Sequence, residues 1–81
     1  MASLENFRLV VFRSVAEHLS FRKAAEELYL TQPAVSLQVK ALEEDLAVTL
    51  FDRSGSHVRL TAAGEVLLRH ARNLHALLAK R

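Results

Sequence analysis

TQPAVSLQVKALEEDL, residues 31–46, has the signals of one capped helix. Thr31 is placed to cap it, because a side-chain oxygen there accepts an N–H group that a helix start leaves unpaired. Pro33 falls in the first turn, where its missing N–H is no loss and its fixed φ is already helical. Val35, Val39, Leu42 and Leu46 recur at i, i+4, i+7 and i+11, which makes one apolar stripe. Off that stripe, the first turns present Gln32, Pro33, Ser36, Leu37 and Lys40, with no acid among them, and Glu43, Glu44 and Asp45 come only in the last turns. Such a helix brings its N-terminal half to a polyanion and keeps its C-terminal half away, as expected of a helix lying in the major groove of double-stranded DNA. Alone, the stretch also fits an ordinary amphipathic helix; its flanks decide.

Toward the N-terminus, Leu4, Phe7, Val11, Phe12, Val15 and Leu19 follow helical spacing, widened by Leu9, Val10 and Ala16. Most of that width is expected in the core, with Val10 the position best suited to meet another chain. His18 reads as a solvated residue favoured by the helix C-terminal dipole. Ser20 is the next cap, and Phe21, Ala24, Ala25 and Leu28 mark a second stripe. Two small residues side by side let another helix cross closely and steeply. Arg22 and Lys23 lie in the first turn of that helix, where basic side chains and open N–H groups together suit a phosphate. Tyr29, Leu30 and Thr31 then form a three-residue turn with an apolar residue inside it. Two short helices joined in this way are the helix-turn-helix pattern.

Toward the C-terminus, the apolar, partly β-branched run Val48–Phe51 and the alternating Val58, Arg59 and Leu60 flank a turn, residues 52–57, in which Gly55 is able to take a positive φ. This predicts a two-stranded hairpin, a wing, with no acid between Arg53 and Arg59. Thr61 caps a last helix in which Gly64, Leu67, Ala71, Leu74 and Leu78 alternate three and four residues apart, a short heptad seam. Val66, Leu68 and Leu77 lie off it, and the charges after Glu65 are all basic. That helix has more apolar surface than a domain of this size hides.

The chain has 81 residues, 51% of them hydrophobic, with two glycines, one proline and no cysteine. That length makes one small domain with a modest core and marginal stability. Without cysteine there are no disulfides, no thiol catalysis and no cysteine-bound zinc. No apolar run reaches bilayer length and no signal-peptide pattern opens the chain, so no membrane partner and a cytoplasmic location are expected. The formal charge of +2, with a pI near 9.5, is too small to argue for nucleic acid by itself; the sorting of charge along the chain makes that argument.

Ser20-Phe21 with Ala24-Ala25, Thr31 to Ser36, Ala41-Leu42-Glu43, Leu50-Phe51-Asp52-Arg53 and Leu60 to Gly64 together resemble the DNA-binding region of LysR-type transcriptional regulators, in the same order and spacing over nearly the whole chain. The resemblance implies a mainly α winged helix-turn-helix over residues 1–60, three helices plus a two-stranded β wing, followed by a long dimerising linker helix over 61–81. It implies a bacterial homodimer, with a higher oligomer in the full-length protein. It also implies a missing C-terminal effector-binding domain of periplasmic-binding-protein type, to which any small-molecule co-inducer would belong, so that the chain is an isolated domain. Gln32, Pro33 and Ser36 match the family's base- and phosphate-contacting helix start, and Arg53 its wing arginine at the minor groove or its phosphates. There are departures. Leu37 replaces a basic or polar residue and suits a thymine methyl. Ser56 and His57 replace a more basic wing tip, which implies weaker wing contacts. Ala47 and Leu19 stand where glycines commonly end helices, which puts the family's left-handed caps in question.

The expected interface with DNA is therefore Arg22, Thr31, Gln32, Pro33, Ser36, Leu37, Lys40 and Arg53, with Leu67, Ala71, Leu74 and Leu78 expected at the dimer seam. An enzyme is the weaker alternative. The four histidines are His18, His57, His70 and His75; the last two are five residues apart, off the i, i+4 spacing of helical metal ligands, and no glycine-rich phosphate loop exists. No catalytic residue, metal or cofactor is expected. A helical protein-interaction or dimerisation module without DNA binding is the other alternative, but it leaves the acid-free helix start and wing unexplained.

Overall fold

The alanine pair and the caps build the observed architecture. A computed structural model describes the backbone of residues 4–79 and the side chains of residues 6–73. Helices α1 (Leu4–His18), α2 (Phe21–Leu28) and α3 (Gln32–Leu46) are followed by strands β1 (Phe51–Asp52) and β2 (Arg59–Leu60) and by helix α4 (Ala62–Ala79). The strands pair antiparallel, Phe51 with Leu60 and Asp52 with Arg59. Helices α1, α2 and α3 pack on one another, and α4 packs on α1 and β2. Ala24 and Ala25 are both buried, together with Val11, Phe12 and Val15 of α1 and Val35, Val39 and Leu42 of α3. Small side chains at the crossing let the backbones of α2 and α3 approach.

Each cap read from the sequence is made. The Ser20 hydroxyl accepts the Lys23 N–H at 3.0 Å, and Thr31 Oγ1 accepts the Ala34 N–H at 3.2 Å. Thr61 Oγ1 accepts the Gly64 N–H at 3.0 Å and donates to the Thr49 carbonyl at 2.6 Å. The helix ends differ from expectation. Leu19, Tyr29 and Ala47 have φ of 49°, 58° and 56°, so the left-handed stops persist without glycine. After α2, the Tyr29 N–H reaches the Glu26 carbonyl and the Leu30 N–H the Ala25 carbonyl; after α3, the Ala47 N–H reaches Glu44 and the Val48 N–H reaches Glu43. These paired bonds satisfy carbonyls that a helix end leaves open. They outweigh the steric penalty of about 1–2 kcal/mol that an L-residue meets in this region. Gly55, by contrast, has no positive φ, and a Cβ there would meet nothing.

Two readings of apolar residues need correction. Leu46 is 47% exposed; it stands at the rim of a groove that it shares with Leu9, Leu67 and His70, because by its last turn α3 has run past the core. In α4 the inward face is Gly64, Leu68 and Ala71, all buried, while Leu67 is only half-buried against the core. The seam residue Ala71, 1% exposed, is thus covered by its own chain, and Leu68, read as lying off the seam, is core. Gly64 is small for a reason of its own: a Cβ there would lie 2.3 Å from the Leu50 carbonyl oxygen. Leu74 and Leu78 lie outside the described side chains.

Polar contacts tie the helices together at the surface. Arg72 Nε donates to Glu17 Oε2 at 3.0 Å between α4 and α1, and Arg8 of α1 pairs with Asp45 of α3. That hydrogen bond from Arg72 holds the Glu17 carboxyl below the usual carboxylate range. Its contribution is present above the unfolded-state value and fades as pH falls through the folded one. Ser14, 7% exposed, donates to Glu27, which also meets His18 Nε2 at 3.2 Å.

Ala47→Gly relieves the left-handed strain at the end of α3 while adding unfolded-chain entropy, for a net gain of about 0.5–1 kcal/mol. Thermal melting should rise by roughly 3–6 °C for a domain of this size. A melt that stays put or falls would show that Ala47 carries no strain.

Candidate nucleic-acid interface

Helix α3 presents its N-terminal half outward. Gln32 and Pro33 are exposed, as is Lys40, and Leu37 is 65% exposed. Ser36 is half-buried. Thr31 is exposed, with its oxygen engaged in the cap. Ser36 and Lys40 line one cleft together with Arg53 of the wing, over a floor of Phe21, Val39 and Phe51. The fold therefore brings three of the expected contact residues, from two elements, to a single concavity. Gln32, Pro33 and Leu37 lie on the exposed surface of the same helix. Arg22, at the start of α2, is held by its own neighbour: its Nη1 donates to Glu26 Oε2 at 2.8 Å. An exposed i, i+4 pair of this kind stabilises little and yields readily to a phosphate.

One acid lines the cleft, and it is occupied. Glu43 Oε2 accepts the Leu50 N–H at 2.7 Å and the Phe51 N–H at 3.3 Å. The carboxylate that the charge pattern reads as something to hold away from DNA instead fastens the first wing strand to the C-terminal half of α3. At the tip, Asp52 Oδ1 accepts from the Ser54 N–H at 2.9 Å and from its hydroxyl at 2.6 Å, and those two bonds hold the Asp52 carboxyl below its ordinary value. They form an Asx-turn, which reverses the chain without a left-handed glycine. Arg53 is left exposed, its guanidinium 4.0 Å from the centre of the Phe21 ring.

Three features of the site are absent from the sequence reading. Nothing local signals that Glu43 reaches seven residues ahead, and nothing signals that the Phe21 ring meets an arginine more than thirty positions away; both depend on tertiary approach. Tyr29 does carry a signal, an aromatic residue in a turn. It is 95% exposed on the left-handed cap of α2, two residues before the cap of α3.

Comparison with known proteins then decides the family. Residues 7–65 match the model of the bacterial regulatory helix-turn-helix proteins, lysR family. The chain belongs to the LysR family. The LysR-type domain is 49% identical over 75 residues to a probable RuBisCO transcriptional regulator of Cyanophora paradoxa, a match that covers 93% of this chain and 22% of that protein. The chain thus spans less than a quarter of the length of such relatives. It superposes on the BenM DNA-binding domain, solved with catB site 1 DNA, with a TM-score of 0.86 at 33% identity, covering 98% of this chain and 86% of that one. With the DNA-binding domain of CbnR, also solved with DNA, the TM-score is 0.82 at 37% identity, with 98% and 88% covered. The fold of the LysR-type domain is accordingly a DNA-binding winged helix-turn-helix. Among the described residues, no helix is long and apolar enough to cross a membrane.

Removing the Glu43 carboxylate leaves the Leu50 and Phe51 N–H groups without that acceptor, at about 1–3 kcal/mol for each that stays buried and unpaired. Glu43→Ala should lower the melting temperature and speed hydrogen exchange at the Leu50 and Phe51 amides, with Glu43→Gln, which keeps an acceptor oxygen, recovering most of both. Unchanged exchange at those amides in Glu43→Ala would show that the wing is held without it.

Proposed function

We propose that this chain is the operator-reading part of a transcription regulator, that it binds double-stranded DNA in a sequence-specific manner, and that it acts by binding rather than by chemistry. The observation that supports the reading best is the cleft in which Ser36 and Lys40 of α3 and Arg53 of the wing come together, with its one acid engaged by backbone N–H groups. In this reading the N-terminal half of α3 lies in the major groove. Gln32 and Ser36 take base edges, Leu37 meets a thymine methyl, and Thr31, Pro33 and Lys40 lie along the groove wall. Arg22 and the start of α2 hold a phosphate, and Arg53 reaches the minor groove or its phosphates. Two similar domains solved on DNA support the same reading. A cytoplasmic site of action goes with it.

Base reading has a direct test. Gln pairs with adenine through two hydrogen bonds, and a good base contact contributes roughly 1–3 kcal/mol of discrimination. Gln32→Ala and Ser36→Ala should weaken binding to a site selected from random DNA by about 5- to 150-fold, and binding to random DNA far less. Equal losses on both would mean that these residues only position the helix.

Dimerisation belongs to the proposal. The 18 residues of α4 extend about 27 Å at 1.5 Å per residue, and its inward face ends in the described residues at Ala71. Beside it, Val66 is 58% exposed, and Leu46 and Val48 are exposed as well; with Leu67 and His70 they line one apolar groove. A second copy of the chain suits this surface, with Leu67 on it and Ala71 supporting it from within; the seam spacing of the sequence adds Leu74 and Leu78, outside the described side chains. Two-fold pairing there spaces two recognition helices by about one DNA turn, roughly 34–36 Å, on an inverted repeat. A higher oligomer and a co-inducer, where they exist, belong to the full-length protein. Leu74→Glu adds a charge to the seam and should give a folded monomer that binds a half-site but no longer prefers the palindrome, a loss of roughly 10²- to 10⁴-fold in avidity. Sedimentation with half- and full-site titration decides it; a variant that stays dimeric would move the interface to another surface, with exposed Val10 of α1 the first candidate.

A further inference from the structure

We propose that Phe21, a core residue of the helix-turn-helix, positions the wing arginine for DNA by stacking beneath it. Phe21 is 6% exposed and packs edge-on against Phe51 of β1, with ring centroids 5.6 Å apart; Phe51 in turn packs against Phe12 of α1 at 5.4 Å. The three rings form a continuous series of tilted and edge-on contacts through the core. Phe21 is its last member, and the Arg53 guanidinium lies 4.0 Å from that ring's centre. A guanidinium that stacks on a ring meets it with its face. Its N–H donors lie in the plane of the group and point outward from its edge, so a stacked arginine is still equipped to bond phosphate or base oxygens. Arg53 is otherwise exposed on a wing of two two-residue strands. A long side chain on so small a support loses rotamer freedom when it binds, and the ring removes part of that freedom beforehand. The ring belongs to the residue that opens α2, immediately before Arg22. The wing contact and the α2 contact are therefore held in one register by a single side chain.

This inference rests on the reading of Arg53 as a DNA contact, and a double-mutant cycle separates the two. Arg53→Ala should lower affinity and make the salt dependence shallower by about one phosphate contact. Phe21→Leu keeps an apolar side chain but removes the π face; in the wild-type background it should weaken DNA binding roughly two- to five-fold, the scale of an exposed cation–π contact. In the Arg53→Ala background the same change should have no further effect on affinity, measured where melting shows both proteins folded. Equal losses in both backgrounds would make Phe21 a packing residue only and overturn the proposal. If Arg53→Ala leaves affinity and salt slope unchanged, the wing reading fails first and the positioning role falls with it. The wild-type protein gives a second readout that does not depend on Phe21→Leu folding: stacking over the ring shifts the Arg53 δ-methylene and ε proton resonances upfield. Ordinary, unshifted resonances for those protons in the wild type would overturn the proposal by themselves.

Discussion

The Phe51 ring is the contact on which the functional arrangement depends. It packs between Phe12 of α1 and Phe21 of α2 and is itself part of β1. A wing with two paired residues in each strand has almost no stability of its own. It persists because one of those residues is an aromatic anchor driven into the helical core, where aromatic rings contribute a large share of the buried area. Leu50, 1% exposed, adds a second anchor beside it. These two side chains seat the hairpin in the core, and the Glu43 carboxylate ties the same stretch to α3.

Charge is arranged around that anchor by use as much as by position. Helix α3 keeps acids out of its first turns, as the proposed contact with DNA requires, yet its last turns are not merely a discarded end. Glu43 holds the wing strand and Asp45 pairs with Arg8 of α1. Two of the three acids in the last turns of α3 thus stabilise the scaffold that presents the basic residues. A chain of formal charge +2 in this way offers a cleft lined by Lys40 and Arg53 whose one acid is already engaged.

Most of the architecture was legible from local rules. Val35, Val39 and Leu42 are buried as their spacing implied, and Ser20, Thr31 and Thr61 cap the helices they precede, because caps and stripes are governed by residues within one turn. What escaped the sequence depends on distant neighbours. The seam spacing passes through Leu67 and the inward face of α4 through Leu68, with Gly64 and Ala71 common to both, and only the place where α1 lies tells which of the two leucines is core. The left-handed stops at Leu19 and Ala47 oppose local preference, and at Ala47 paired backbone bonds to the Glu43 and Glu44 carbonyls accompany the stop. Glu43 looked like a charge to be kept from DNA because its partners are backbone amides, which have no signature in a sequence.

The glycine at the start of α4 has a mechanical meaning. With no side chain at Gly64, the helix begins pressed against the Leu50 carbonyl, to which the Thr61 N–H is also bonded at 3.0 Å. The joint between wing and helix is therefore tight, and α4 behaves as a lever arm rather than a tether. A rotation of about 10° at such a joint would carry the far end of an arm of about 27 Å through roughly 5 Å. In a two-fold assembly the converse holds as well: a small change in the angle at which two such arms cross is delivered, enlarged, to the separation of the two DNA-reading helices. If two copies pair through α4 as proposed, the half-site spacing that they accept would depend on one close backbone contact far from any base.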